Sequence, residues 1–354
     1  MSLKFSIISL NHNGRKILGP LLDMHISSLL KTEYSDFEII FVDNGSNDDS
    51  ADYVKSRYND PRLRVLRLPK NYTFAKANNL ALKVISENTD VVVFINNDTV
   101  VKSDWLKELA RTFIEDPKVG IAQPLILDLD THTIQFMGGY IDQFGRSMTI
   151  GGYNDERINK ILLKILRTSK FSPLQVLWAY GACIAVRRDI LYKIGGFNEL
   201  FHWSLEELTI SIPVNALGYK VVVNPKSIIY HKSGATIRHF HLIKQYMRNR
   251  FLLLLIYYPS QLLPQALLGR FLLELFLSLR IHKPIVFLVL QELIVNLRSI
   301  ISHRKRSYKL SSKLFYLVTR TPIILSKQLH VSLTLKKLLE LNSINISTNK
   351  DLLS

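Results

Sequence analysis

The chain has 354 residues, enough for two or three domains, and one cysteine, Cys183, which excludes an internal disulfide framework and fits a reducing compartment. Its formal charge of +17 sits at one end: residues 1–230 carry 27 Lys and Arg against 25 Asp and Glu, and residues 231–354 carry 19 against 4. The first part therefore reads as an ordinary soluble domain, and the basic character belongs to the tail.

The opening "MSLKFSIISLNHNG" has an apolar run too short for a signal peptide. The Asn-x-Ser/Thr triplets at Asn44, Asn71, Asn97 and Asn345 are accordingly not read as glycan acceptors. "FSIISL" (5–10), "FEIIFV" (37–42), "RLRVLRL" (62–68) and "VVVFI" (91–95) are short apolar runs rich in β-branched residues, the pattern of strands covered on both faces. Between them, helical spacing predicts helices over 17–30, with Pro20 in a first turn, and over 73–87. A further helix is predicted over 103–116, with Ser103 as its N-cap. "VGIAQP" (119–124) reads as another strand. This alternation predicts an α/β fold with a mostly parallel sheet. Glycines between 129 and 172 suggest an excursion from the sheet, containing a basic amphipathic helix at 158–168. Regular structure returns at 175–191, with a helix near 205–217 and strands at 220–223 and 227–231.

Three strands end in polar clusters: "SLNHNG", "VDNGSNDDS" and "INND". In a parallel sheet these tips share one edge, where open α/β folds bind ligands. Each loop alone is explained by turn chemistry and helix capping; three together favour a shared site. No G-x-G-x-x-G and no G-x-x-x-x-G-K-[ST] follows the first strand, which disfavours a dinucleotide fold and a P-loop. A carboxylate at Asp98 suits Mg²⁺ or Mn²⁺ held together with substrate phosphates. Glu206-Glu207 could supply a general base, or could simply complement a helix dipole.

With these residues in order, the chain resembles the family 2 glycosyltransferases of GT-A fold, in the rhamnosyltransferase-like branch. The resemblance runs over about residues 3–260, carried by "SLNHNG", "VDNGSNDDS", "NYTFAKANN", "FINNDT", "WAYGACIAVRRDIL", "IGGFNELFHWSLEEL" and "SIIYHKSG". It implies a GT-A-type Rossmann-like, mostly parallel sheet flanked by helices. It also implies inverting transfer of a sugar from a nucleoside diphosphate to an acceptor hydroxyl of a glycan or lipid-linked glycan, with Mg²⁺ or Mn²⁺ and without nucleic acid. It assigns nucleotide-sugar contacts to Asn11, Asp43, Asn44, Asn78, Asn97, Gly181 and Ala182, metal contacts to Asp98 and His231, and catalysis to Glu207 with Glu206. The chain departs from the family pattern at His12 in place of Tyr, at Glu207 in place of Asp, and at Thr209 and Pro213. A sugar nucleotidyltransferase, or a scaffold on an inactive transferase, are the alternative readings.

Residues 1–238 are read as the transferase domain, 239–340 as a basic amphipathic helical extension, and 341–354 as a mobile tail. Pro264 and Pro284 each open an apolar helix with a thin polar stripe: Arg270, Glu274 and Ser278, then Glu292, Asn296, Ser299 and His303. Charges near mid-helix disfavour a membrane span. The expectation is helices lying in the membrane interface, with "HRKRSYK" (303–309) at anionic head groups, on the cytoplasmic face of the cell membrane. Packing on the transferase, or a homodimer contact through these helices, is the other reading.

Overall fold

The apolar runs become the middle of one sheet. In this computed structural model, which describes residues 2–151, 159, 173–232, 240–309 and 318–319, β1 (Phe5–Asn11), β2 (Phe37–Asn44), β3 (Leu63–Leu68) and β4 (Val91–Asn96) pair in parallel. Nearly every residue of β1, β2 and β4 is buried, as strands covered on both faces require. β5 (Thr99–Val101) follows, then β6 (Val119–Asp128), β7 (Ile134–Phe136), β10 (Leu174–Val176), β11 (Cys183–Arg187) and β12 (Lys220–His231). The main order is β10-β12-β6-β11-β4-β1-β2-β3, with β5 on β12 and β7 on β6. The long pairings are parallel, β12 on β6 included. β11 enters antiparallel between β4 and β6. The strands expected at 220–223 and 227–231 are one strand, with a register shift between Asn224 and Ile228. Within the excursion β7 stays on the main sheet, while β8 (Gly139–Asp142) and β9 (Ser147–Thr149) form a small separate sheet that β13 (Val318–Thr319), from much later in the chain, joins. The helix expected at 158–168 and the tail at 341–354 lie outside the described residues.

Helices flank the sheet, with differences from the sequence reading. The one expected over 17–30 is two, α1 (Gly14–Leu18) and α2 (Pro20–Leu30). Gly19 between them takes φ 54°, and Pro20 has no N–H with which to continue the first. α3 spans Ser50–Arg57. α4 (Phe74–Ala81) is shorter than the expected 73–87 and gives way to turns; the Thr73 side chain caps its start. α5 (Trp105–Glu115) starts after Asp104, so Ser103 is not its N-cap; the Ser103 carbonyl instead accepts from Glu33 N at 2.7 Å. α6 (Arg188–Ile194) and α7 (Leu208–Ala216) lead into β12.

The C-terminal extension is α8 (Phe240–Tyr257), α9 (Leu263–Arg280), α10 (Ile285–Val295) and α11 (Leu297–Arg306). Its buried Met247, Phe251 and Leu254 join the same apolar cluster as Tyr140 and Trp178 of the transferase. The polar stripe of α9 faces inward: Arg270, Glu274 and Ser278 are all buried. Arg270 Nη1 and Arg250 Nη1 both donate to Glu274 Oε1, at 2.7 and 3.0 Å, and Arg270 Nε donates to the Phe144 carbonyl at 2.8 Å. The apolar residues face out: Leu268, Phe276, Leu279, Phe287, Ile294 and Val295 are each more than half exposed. Among the described residues no single helix is long and apolar enough to cross a membrane. α10 and α11 together would pass by length and composition, but they are bent by 70°.

Candidate active site

The strand tips meet as the pattern requires. Asn11 lies in register with Asp43, and Leu10 with Asn96. Asn11 Nδ2 donates to Asp43 Oδ1 at 3.3 Å, Ser46 Oγ donates to the same oxygen, and Asn97 Nδ2 donates to Asn11 Oδ1 at 2.8 Å. Gly14 lets its loop pass over this cluster, since a Cβ there would lie 1.9 Å from Asn11 Oδ1. Gly45 makes the turn after Asp43 at φ 65°, 2.3 Å from the Lys70 carbonyl carbon when measured from a would-be Cβ. Asn44 ties that turn to the next loop: its Nδ2 donates to Asn71 Oδ1 and to the Tyr72 carbonyl, both at 2.9 Å. Asn78 is buried in α4, and its amide donates to the Phe74 carbonyl at 3.0 Å. These two amides therefore hold backbone, Asn44 that of the next loop and Asn78 that of its own helix, while Asn11, Asp43 and Asn97 are bonded together at the strand tips.

Asp98 follows the tip of β4. Its backbone carbonyl accepts from Lys232 N at 2.9 Å, which ties it to the end of β12. Its Oδ1 is buried and has no hydrogen-bond partner among the described residues, yet it lies 3.3 Å from His231 Nε2. Gln135 sets the histidine tautomer. Gln135 Nε2 points to Asp128 Oδ2 and the His231 carbonyl, each at 3.4 Å, so Oε1 is left for His231 Nδ1 at 2.6 Å. Nδ1 then carries the proton, assigned from this network, and the Nε2 lone pair points at Asp98. A carboxylate oxygen and an imidazole nitrogen facing each other at that distance are satisfied by a shared cation, either a proton, which makes an ion pair, or a metal ion. Among the described residues no three His, Cys, Asp or Glu converge as a metal site. One carboxylate and one imidazole suit an ion whose other ligands come from substrate phosphates and water.

His25 of α2 supports the Asp98 loop from behind. It is fully buried, with Nε2 2.8 Å from Ser9 Oγ and Nδ1 2.8 Å from the Thr99 carbonyl. Burial lowers its pKa from 6.5 to about 4, with the Thr99 bond and Asp98 opposing. A histidine depressed in this way contributes full stability above the unfolded value, lost as pH falls through the folded one. The gap between 6.5 and about 4 is worth about 3 kcal/mol. The wild-type melting temperature should fall between pH 6.5 and 4 more steeply than that of His25→Gln. Equal slopes would remove His25 as the cause.

The acidic pair lies at the start of α7 rather than inside a helix. Trp203, Ser204 and Leu205 before it have φ of 56°, 120° and 62°, a strained run for residues with side chains. Glu206 is buried, and its Oε2 accepts from Ser204 N at 2.7 Å, holding that run in place. Glu207 keeps some accessible surface although protein surrounds its carboxyl group. Its Oε2 lies 3.8 Å from where a Gly181 Cβ would stand, so the missing side chain leaves open space above the carboxylate. Burial, with the neighbouring Glu206 charge, pushes the Glu207 pKa up to about 8. Glu206 is also raised by burial, partly offset by backbone N–H groups including that of Ser204. Ala182 is buried, and its carbonyl accepts from Asn96 N at 3.0 Å, fixing the Gly181 turn against the tip of β4.

Tyr180 joins the two halves. Its ring stacks on Phe136 with centroids 3.5 Å apart. Its pKa is raised first by burial, then by the charges of Glu207, Tyr246 and Asp98, so it lies within electrostatic reach of both the base candidate and the metal candidate. The sequence offered no signal for the roles of Gln135, His25 or Tyr180. Each acts through partners far away in the chain.

The glycosyl transferase family 2 profile matches residues 6–195, more than half of the chain. The O-antigen biosynthesis protein RfbC of Myxococcus xanthus is 27% identical over 236 residues, covering 66% of this chain and 18% of that protein. The N-acetylglucosaminyl-diphospho-decaprenol L-rhamnosyltransferase of Mycobacterium tuberculosis (strain CDC 1551 / Oshkosh) is 24% identical over 242 residues, 62% of this chain and 75% of that one. The chain thus spans about a fifth of the length of the first relatives it matches. Among solved structures, GalNAc-T7 with UDP, GalNAc and Mn²⁺ superposes with a TM-score of 0.54 at 19% identity, over 70% of this chain and 48% of that one, which shows a common GT-A-type fold. By its strand-tip motifs, its sheet and the extent of the profile match, the chain belongs to glycosyl transferase family 2.

Proposed function

We propose that this chain is an inverting glycosyltransferase that moves a sugar from a nucleoside diphosphate to an acceptor hydroxyl, using Mg²⁺ or Mn²⁺. One observation carries the reading: Tyr180 lies within electrostatic reach both of Glu207, whose carboxyl group is pushed up to about 8, and of Asp98, whose Oδ1 makes no hydrogen bond among the described residues. Asp43, backed by Asn11 and Ser46, takes the nucleoside. Asp98 and His231 hold the metal ion, which when bound neutralises charge on the departing diphosphate. Mn²⁺ in the GalNAc-T7 structure supports this part. Glu207 removes the acceptor proton, and its raised pKa suits a base working near neutral pH. Glu206 keeps it in position. Gly181 and Ala182 leave room for the sugar. Purified protein screened against nucleotide sugars with Mg²⁺ or Mn²⁺ should release nucleoside diphosphate, and chelation should stop the release. Failure with every donor would overturn the proposal.

The proposal extends to location, peripheral on the cytoplasmic face of the cell membrane. The outward apolar face of α9 and α10 supports it, as do the exposed Lys305 and Arg306 in the last turn of α11. The protein should sediment with anionic vesicles, and high salt should weaken this without abolishing it, because apolar insertion is less salt-sensitive than surface charge. A protein that stays soluble without detergent and ignores vesicles would have these faces covered by a second copy, and the location would be wrong.

A further inference from the structure

The first helix of the extension reaches back to the loop that carries the acidic pair. That loop needs holding. Trp203, Ser204 and Leu205 all take positive φ, and such backbone persists only where its surroundings over-determine it. Adjacent residues of α8 supply the hold. Asn249 is fully buried, and its Nδ2 donates to the His202 carbonyl at 2.7 Å and to the Ser204 carbonyl at 2.9 Å. Arg248 Nη1 donates to the Leu200 carbonyl at 2.8 Å and to Asn249 Oδ1 at 3.2 Å, which assigns the amide nitrogen to the loop side. The carbonyls of Leu200, His202 and Ser204 thus all end on one helix. Arg248 is anchored in turn: with Lys244 it forms ion pairs to Glu292 of α10, at 2.5 and 2.9 Å.

Ser204 is gripped at both of its backbone groups. Its N–H donates to Glu206 Oε2 at 2.7 Å, and its carbonyl accepts from Asn249. Only Leu205 and Glu206 separate it from Glu207, and α7 starts immediately afterwards at Leu208. Glu207 therefore sits between a loop pinned by the extension and a buried helix. The titratable groups that act on it are Glu206 beside it and Tyr180 from the turn before β11. Among the described residues, Arg248 and Asn249 make no hydrogen bond to Asp98, His231 or the strand tips.

We infer that Asn249, steadied by Arg248, is a positioning residue for the base: by holding the 202–204 backbone, the extension keeps Glu207 in the buried setting that the reaction uses. The inference rests on Glu207 acting as the base, as proposed above, and it makes the extension part of the acceptor side of the site.

Asn249→Ala removes both bonds to the loop. Once the loop is freed from α8, the Glu207 carboxyl group reaches water, and its titration should move at least about one pH unit down from about 8. With a donor identified by the screen above, turnover should fall about 10²-fold at unchanged donor affinity, and its limb near pH 8 should move down with the carboxyl group. Without any donor, the gain in melting temperature that Glu207→Gln gives at pH 9 should shrink to less than about half in the Asn249→Ala background. Arg248→Lys keeps a charge beside Glu292 but cannot fork to the Leu200 carbonyl and Asn249 Oδ1. It should act in the same direction, and it carries the test where Asn249→Ala does not fold. Asn224→Ala is the matched control, because its buried amide also donates twice, to the Glu108 carbonyl at 3.0 Å and to Thr112 Oγ1 at 2.8 Å on α5. It should lower the melting temperature but move neither the limb nor the Glu207→Gln gain. An undiminished gain in the α8 variants, or an equal loss of it in Asn224→Ala, overturns the inference. Turnover separates the two readings. If wild type has no limb near pH 8 yet the gain shrinks, Glu207 loses the base role and its positioning stands; a limb that neither α8 variant moves removes the positioning alone.

Discussion

Asp98→Ala should fold normally and lose metal-dependent donor turnover by at least about 10²-fold, the scale of removing one electrostatic stabiliser from an active site. Folding is spared because the lost Oδ1 makes no hydrogen bond among the described residues, while the bond from Lys232 N to the Asp98 carbonyl belongs to the backbone and survives. Asp98→Asn sharpens the test. An amide can donate to His231 Nε2, replacing two opposed acceptors with a hydrogen bond worth about 1 kcal/mol. The asparagine variant should therefore melt higher than wild type without metal, yet be as inactive as the alanine variant. Near-normal turnover in either would remove the metal role, and a lower melting temperature for Asp98→Asn would mean that His231 Nε2 carries a proton.

Glu207→Gln should keep nucleotide-sugar affinity within a few-fold and lower transfer by about 10²–10⁴, the usual contribution of a general base. The wild-type rate should rise with pH through about 8, where the carboxyl group ionises, and the variant should lack that limb. Stability gives a second readout of the same group. Its folded pKa lies above the model-peptide value, so its contribution is full below 4.5 and is lost as pH rises through about 8. Glu207→Gln should match wild type in melting temperature at pH 4 and exceed it at pH 9. Glu206→Gln should act mainly on stability, since that side chain holds the Ser204 backbone. If Glu206→Gln proves the more damaging to transfer, the two roles must be exchanged.

The donor side was legible because its signal is local. A β-branched run that ends in Asn96-Asn97-Asp98 announces a buried strand with a wet tip, and a parallel sheet gathers such tips on one edge. Asp98 as the acid of that tip could thus be read from its own segment. Gln135 could not: it reaches His231 only because β7 folds back on β6, which lies beside β12. Asn44 and Asn78 look like ligand contacts in a motif, but sequence does not show that the Asn44 amide also ties down the Asn71–Tyr72 loop or that the Asn78 amide bonds back to Phe74 one turn earlier in α4. The stripe on α9 was legible as a stripe, since a period of four marks one helix face. What that face meets was not, because a charged stripe looks the same whether it faces water or pairs with Arg250 across an interface.

The antiparallel entry of β11 has a consequence for the growing chain. β1 to β4 pair as soon as the first 96 residues exist, but the outer edge of β4 stays open until β11, residues 183–187, has been made. That edge is "VVVFI": β-prone, uncharged and without proline, the kind of segment that recruits other strands. At ribosomal speeds of roughly 5–20 residues per second, about 90 further residues leave it uncovered for several seconds or longer. Fragments that stop short of residue 187 should therefore collect in the insoluble fraction, and full-length yield should improve when synthesis is accompanied by chaperones that shield an open strand edge.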